Sequence, residues 1–300
     1  MIFILPAGIG ELTDLTRLDL SNNSFDSLPV AIGQLQNLTG LDLSRNKLKN
    51  LPIGVEKLKN LIYLDLSGNY LDSFPTEIEA LENLTTLDLG INNLETVSPA
   101  IGALKKLTTL KLNDNSISGV NGLPREIGGL KKLAFLDLSN NFLEGLPIEF
   151  GTLNSLTILS LYKNELENLP AGFGKLKNLT YLDLQYNHLS KLPMGFGNLK
   201  SLTELYLRGN KLNALPSQFW ILSNLTKLDL GGINLRNLSN DIAKLESLEV
   251  LYLDQNNLKK LPNGIKQLKS LEKLSLGLNP SSFEFATSLR KHMPWCDIQN

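Results

Sequence analysis

LTRLDLSNNSFDSLPVAIGQL, residues 15–35, sets Leu15, Leu18, Leu20, Asn23, Phe25, Leu28, Pro29, Ile32 and Leu35 in a fixed order. The same order returns 23 residues later as Leu38, Leu41, Leu43, Asn46, Leu48, Leu51, Pro52, Val55 and Leu58. It starts again at Leu61, Leu84, Leu107, Leu133, Leu156, Leu179, Leu202, Leu225 and Leu248, with a partial copy at Leu271. A period of this length means an array in which each unit touches its neighbours, so the chain grows without a central core.

The spacing inside one unit dictates its shape. In L-x-x-L-x-L the last two leucines flank one outward residue, the period of a short strand. Successive strands then stack in parallel at about 4.8 Å. The chain turns at the Asn and returns through L-P-x-x-I-x-x-L, whose i, i+3 spacing suits a short helical or 3₁₀ turn. The strand side is narrower than the return side, so the stack is expected to bend. The fold class that follows is α/β: a curved solenoid, with a parallel β-sheet on the concave face and helical or 3₁₀ turns on the convex face. One repeat domain is expected over 1–300, with a half repeat at 1–14, eleven full repeats at 15–270, and a closing half repeat and helical cap at 271–300. Asparagines at 23, 46, 69, 92, 115, 141, 164, 187 and 210 fall at the bend, where their amides satisfy backbone groups of adjacent turns.

The stretch 15–35 resembles the 23-residue leucine-rich repeat with an LP-containing return segment, found in bacterial proteins, plant Ras-group repeat proteins and animal scaffolds. That resemblance covers nearly the whole chain. It implies a solenoid whose common property is binding a protein or ligand, and it names no partner. The tail Met293-Pro294-Trp295-Cys296-Asp297-Ile298 resembles the closing segment of spirochaete-type repeat proteins, where a helix and a Pro-x-Cys-x-Ile stretch cover the last turn.

Composition narrows the function classes. Residues are 42% hydrophobic, and 29 Lys plus Arg offset 30 Asp plus Glu, so no basic footprint for nucleic acid or anionic lipid exists. Cys296 is the one cysteine, which rules out an internal disulfide and favours a reducing cytoplasm or a bacterial protein. No run of 18 apolar residues is present, so membrane insertion is not expected. The start, Met1 to Pro6, lacks a basic n-region and a long h-region and does not read as a signal peptide. A cytoplasmic location and export from a bacterium both stay open. Six N-x-S/T sequons arise because the repeat favours N-L-T before its strand, and they say little about secretion.

The regularity breaks in identifiable places. Ile2, Leu5, Pro6, Ile9 and Leu12 match only the second half of a repeat, so the first strand presents an edge. Lost upstream repeats or a small cap are favoured there, and the chain is expected to be a monomer unless that edge pairs. The fifth repeat carries three extra residues around Gly119–Gly122, which read as a tolerated bulge. Ser98 and Ser239 stand where other repeats have Pro, and Ile233 stands where the ladder expects Asn. Ser281-Ser282-Phe283-Glu284 fits a capping box that starts a helix, with Phe285, Ala286 and Leu289 facing inward.

No catalytic constellation is expected. His188 and His292 lie several repeats apart, Cys296 beside His292 lacks a third member, and no phosphate loop, dinucleotide fingerprint or zinc spacing occurs. Neither a cofactor nor a metal is implied. Asp19, Asp42, Asp65 and Asp88 stack on outward strand positions. They read first as ordinary L-D-L usage, hydrogen-bonded locally and partly neutralised by Arg17 and Arg45, and second as a row for a cation or basic partner. Phe150, Phe173, Phe196 and Phe219 are expected as an interior spine.

The aromatic row is more telling. Tyr63, Tyr162, Tyr181, Tyr186, Tyr206 and Tyr252 fall on outward strand positions or just after, four of them crowded into three consecutive repeats. Phe135 and Ile158 share the row, with Lys163 and Arg208 adjacent. Exposed Tyr and Arg clusters are the material of binding hot spots, although cross-strand stacking that steadies the sheet explains some of them. The expected function is a non-catalytic module that captures a protein on the concave face through Phe135, Ile158, Tyr162, Lys163, Tyr181, Tyr186, Tyr206, Arg208 and Tyr252. Recognition of a glycan or other non-protein ligand on the same face is the alternative.

Overall fold

The computed structural model describes residues 4–300, so Ile2 of the N-terminal half repeat lies outside the described residues. The chain forms two compact units, one ending at Leu156 and the other spanning Thr157–Asn300.

In the first unit, strands Arg17–Asp19, Gly40–Asp42, Tyr63–Asp65, Thr86–Asp88, Thr109–Lys111 and Phe135–Asp137 pair in that order, all parallel. The central leucines stand in register, Leu41 opposite Leu64 and Leu64 opposite Leu87, and each is fully buried. In the second unit, Ile158–Ser160, Tyr181–Asp183, Glu204–Tyr206, Lys227–Asp229, Val250–Tyr252, Lys273–Ser275 and Asp297–Gln299 do the same. These strands have three residues each, as the leucine spacing requires.

Each return segment is a five-residue 3₁₀ turn, for example Val30–Gln34, entered through an extended proline such as Pro29 at φ −68°. Proline presets that φ and needs no N–H there. Where serine replaces it, the hydroxyl does the capping instead. Ser98 accepts from the Ala100 N–H at 3.2 Å and Ser239 from the Asp241 N–H at 3.1 Å. Phe150 is fully buried in the first unit. In the second, Phe173 stacks on Phe196 at 6.3 Å and Phe196 on Phe219 at 6.2 Å, giving the spine.

The asparagine ladder is explicit. Asn69 donates to the carbonyls of Leu43 and Leu66 at 3.0 Å each and accepts from the Leu48 N–H at 3.0 Å. The ladder extends to Asn256 and Asn279. Ile233 has no side-chain acceptor for the Leu212 N–H. There the backbone rearranges, and the Asn213 N–H reaches the Ile233 carbonyl at 3.1 Å.

The insertion is hydrogen-bonded into the stack. Ser118–Gly119 pairs in parallel with Phe142–Leu143, and the Gly122 carbonyl accepts from the Val97 N–H at 2.9 Å. The C-terminal helix Ser282–His292 forms with Ala286 and Leu289 buried and Phe285 half-buried, and Cys296 and Ile298 close the last turn. The capping box is a correction, because Ser281 makes no side-chain cap bond. At φ −122° and ψ 30° its backbone leaves the extended geometry that aims an N-cap hydroxyl at the helix. Among the described residues, no helix is long and apolar enough to cross a membrane.

Candidate functional site

The outward residues of the second unit's strands form the candidate site. The strands that carry the tyrosines bury a central leucine and leave the residues on either side facing out, which is how Tyr181, Tyr206 and Tyr252 reach the surface. Tyr162 and Tyr186 sit in the turn that follows. Tyr186 occupies the left-handed position at φ 53°, and its ring lies over Gly209. Gly209 is itself at φ +69°, and a Cβ there would stand 2.8 Å from the Tyr186 Cδ1. Glycine is therefore what makes room for the ring.

The rings come in pairs. Tyr162 meets Tyr186 edge to face at 5.5 Å, and Tyr181 meets Tyr206 at 5.5 Å with planes 48° apart. Lys163 lies over the Tyr162 ring at 5.3 Å. The Tyr206 hydroxyl donates to Glu204 Oε2 at 2.5 Å, and burial followed by that carboxylate pushes the phenol well above its ordinary range. Ile158 pairs with Tyr181 across the sheet and is 37% exposed, while Tyr186 is 47% exposed. Phe135 belongs to the first unit, half-buried on the strand beside Thr109–Lys111.

Arg208, adjacent to the row, is held by ion pairs within the chain. Its Nη1 and Nη2 form a fork on Asp254 at 2.8 and 2.9 Å, and its Nε donates to Asp229 at 2.9 Å. Its side chain is 18% exposed. The guanidinium passes over Gly231, where any Cβ would collide with it. The Asp254 bonds raise the Arg208 pKa against the pull of burial. Burial raises Asp229 above the ordinary carboxylate range, while at Asp254 the Arg208 bonds outweigh burial and hold it below. Arg208 thus steadies three successive repeats.

Two residues that the sequence reading passed over complete the surface. Lys227 places its ammonium 5.1 Å from the Tyr206 ring centre, and Lys273 stands 5.5 Å from that of Tyr252. Their signal was their register, since Lys227 pairs with Glu204 and Lys273 with Val250 on neighbouring strands.

The aspartate row of the first unit is mostly local chemistry. Asp19, Asp42, Asp65 and Asp88 each accept the N–H two residues on, at 2.9 to 3.0 Å. Lys111 pairs with Asp88 at 2.9 Å. Among the described residues, Arg17 and Arg45 form no ion pair with the row, which corrects the expected neutralisation. His292 bonds through Nδ1 to the Ser288 carbonyl of its own helix at 3.0 Å. Burial, with Asp297 adding, pushes the Cys296 thiol up to about 11.

Comparison with known proteins agrees with this architecture. Residues 13–71, 36–94, 82–143 and 223–280 match the leucine rich repeat family, and residues 124–209 match a leucine-rich repeat region. No curated protein sequence matches the chain. A solved leucine-rich-repeat protein of Leptospira interrogans is 40% identical at a TM-score of 0.94, over 99% of this chain and 75% of its own. The ectodomain of an Arabidopsis thaliana membrane receptor kinase, solved with Casparian strip integrity factor 2, is 32% identical at 0.71, over 92% of this chain and 37% of its own. An internalin of Listeria monocytogenes shares the fold at 0.81 with 22% identity, over 98% of this chain and 82% of its own. The chain is a member of the leucine-rich-repeat family. That family is typically a protein-interaction scaffold without catalytic activity.

Proposed function

We propose that the chain is a non-catalytic binding module that captures a protein on the strand face of its second unit. The observation that carries this reading is the pair of tyrosine couples, with the Tyr186 ring seated over Gly209 and with Tyr186 and Ile158 well exposed. A stack of leucines and asparagines needs none of these rings to fold. Rigid aromatic area with polar tips binds at low entropic cost. Ile158, Tyr162, Lys163, Tyr181, Tyr186, Tyr206 and Tyr252 are the contact residues, and Arg208 ties its own repeat to Asp229 and Asp254 of the next two. The receptor ectodomain from Arabidopsis, solved in complex with Casparian strip integrity factor 2, supports the assignment at the level of class.

The test compares capture of protein by the wild-type chain and by the Tyr181→Ala, Tyr206→Ala double variant. Removing two hot-spot rings is expected to weaken capture on the order of thirtyfold or more, with an unchanged circular dichroism spectrum. Equal capture by both chains would remove the site. Binding on a glycan array, without protein capture, would replace protein by carbohydrate as the ligand.

A further inference from the structure

We propose that the first unit carries a separate subsite, the hollow above Gly40, which receives a lysine or arginine side chain from an extended partner polypeptide. It lies in the other unit from the tyrosine cluster and rests on different chemistry.

Gly40 begins the strand Gly40–Asp42, at an outward position held in neighbouring strands by Arg17 and Tyr63. Glycine weakens a strand interior, and its presence there often marks a close approach by something else. Nothing in the fold asks for it. A Cβ at Gly40 would meet only the Arg17 stem, at 3.5 and 3.9 Å, and the backbone is not left-handed. By contrast, a Cβ at Gly33 would run into the Gly54 carbonyl of the next turn. Gly33 serves packing; Gly40 leaves space.

The space is a hollow of about 440 Å³, lined by Arg17, Asp19, Thr39, Asp42, Ile62 and Tyr63. Its two sides differ in kind. Ile62 is 45% exposed and Tyr63 39%, an apolar wall open to solvent. The rim is anionic. Among the described residues Asp19 is met only by Ser21 and Asp42 only by Ser44. Further along the row, Asp65 is already bonded by the Tyr63 hydroxyl at 3.0 Å and Asp88 by Lys111. The least satisfied carboxylates therefore stand at the hollow. Carboxylates one strand apart repel each other, and a cation between them relieves that. A guest with an apolar stem and a cationic head fits both sides.

The chain contains a filled version of a related arrangement. In the second unit the Tyr206 hydroxyl bonds a carboxylate two residues away, and Lys227 covers the ring at 5.1 Å. In the first unit the Tyr63 hydroxyl bonds the carboxylate two residues on rather than two residues back, and among the described residues no cation covers its ring. Where one tyrosine has an internal lysine, the other faces an open hollow.

The test titrates the full chain with acetyl-Ala-Ala-Arg-Ala-Ala-amide and with its citrulline and glutamate counterparts, following the Gly40 amide and Tyr63 ring resonances. The arginine peptide is expected to shift both, and the neutral citrulline peptide to bind about fivefold more weakly or worse. Gly40→Leu fills the hollow and abolishes the shifts. Asp42→Asn keeps the bond from Ser44 and loses the charge, so it weakens binding even if Gly40→Leu fails to fold. Arg17→Ala removes a competing cation and tightens binding. Tyr181→Ala with Tyr206→Ala leaves it unchanged, so this subsite and the tyrosine cluster fail or stand separately. No shift at saturating arginine peptide, equal binding of the citrulline or glutamate peptide, or wild-type binding by Asp42→Asn overturns the proposal.

Discussion

The strand faces of the two units start from one scaffold and end as different surfaces. Both bury a leucine at the centre of most strands of the sheet and an asparagine at most turns. In the first unit the outward positions carry Asp19, Asp42, Asp65 and Asp88, with glycine at 40 and tyrosine only at 63. In the second they carry Tyr181, Tyr206 and Tyr252, with Tyr162 and Tyr186 just after. The scaffold positions are bound by burial and hydrogen bonding, so they tolerate little variation. The outward positions carry fewer such constraints, so their differences report more of what each face meets. If that division holds, scaffold changes should cost stability and outward changes should cost binding.

The sharpest break of the division is at the ladder. Asn187 is 2% exposed, donates to the carbonyls of Leu161 and Leu184 at 2.9 and 3.1 Å, and accepts from the Leu166 N–H at 3.0 Å. Each buried backbone group left unpaired costs about 1–3 kcal/mol, so Asn187→Ala is expected to cost about 3 kcal/mol or more by urea denaturation. Asn23, half-buried at the first repeat, should cost about 1 kcal/mol on the same change, because water reaches the groups it leaves. A small effect at Asn187 would mean that the ladder does not hold the stack.

Next in size is Gly209→Ala, where scaffold and surface meet. Alanine at φ +69° is strained by about 1–2 kcal/mol, and its Cβ presses on the Tyr186 ring at 2.8 Å. Both stability and partner capture should therefore drop together. Loss of stability with full capture would show that the Tyr186 orientation is immaterial.

Arg208→Lys probes the fork. Lysine keeps the charge and loses the bidentate geometry, at a cost of about 1 kcal/mol. The pH dependence has a definite sign. Asp254 is held below the ordinary carboxylate range, so its contribution is present above its unfolded pKa and is lost as pH falls through the lower folded value. Asp229 is raised by burial and runs the other way, since acidification protonates it first and favours the folded state. Acid unfolding of Arg208→Lys should therefore begin at higher pH than that of the wild type. Superimposable acid transitions would mean that the fork contributes nothing.

The scaffold was readable because leucine spacing and a recurring asparagine each have one cheap structural solution. Tyr181 and Tyr206 were readable as neighbours because the period puts their positions one strand apart. The ion pairs of Arg208 were not readable, since its carboxylate partners lie 21 and 46 residues away. The clue was Gly231, a residue without a side chain where the guanidinium needed to lie. Gly40 was invisible for a related reason: an empty space has no letter, and only the surrounding walls define it. The missing Ser281 cap bond shows the opposite limit, a motif present in letters whose backbone does not deliver it.

The smallest expected effect has the opposite sign. At Gly209 the glycine is required by backbone and ring; at Gly40 nothing around the backbone requires it. Gly40→Ala adds a Cβ that meets only the Arg17 stem at 3.5 Å, an ordinary contact. Removing glycine from a strand should then raise stability by about 0.5 kcal/mol, because the unfolded chain loses freedom while the fold gives up nothing. Urea denaturation of Gly40→Ala and Gly209→Ala side by side reads both at once, with midpoints moving in opposite directions. If Gly40→Ala destabilises as much as Gly209→Ala, the strand at Gly40 has a steric demand of its own, and the open hollow is a packing requirement after all.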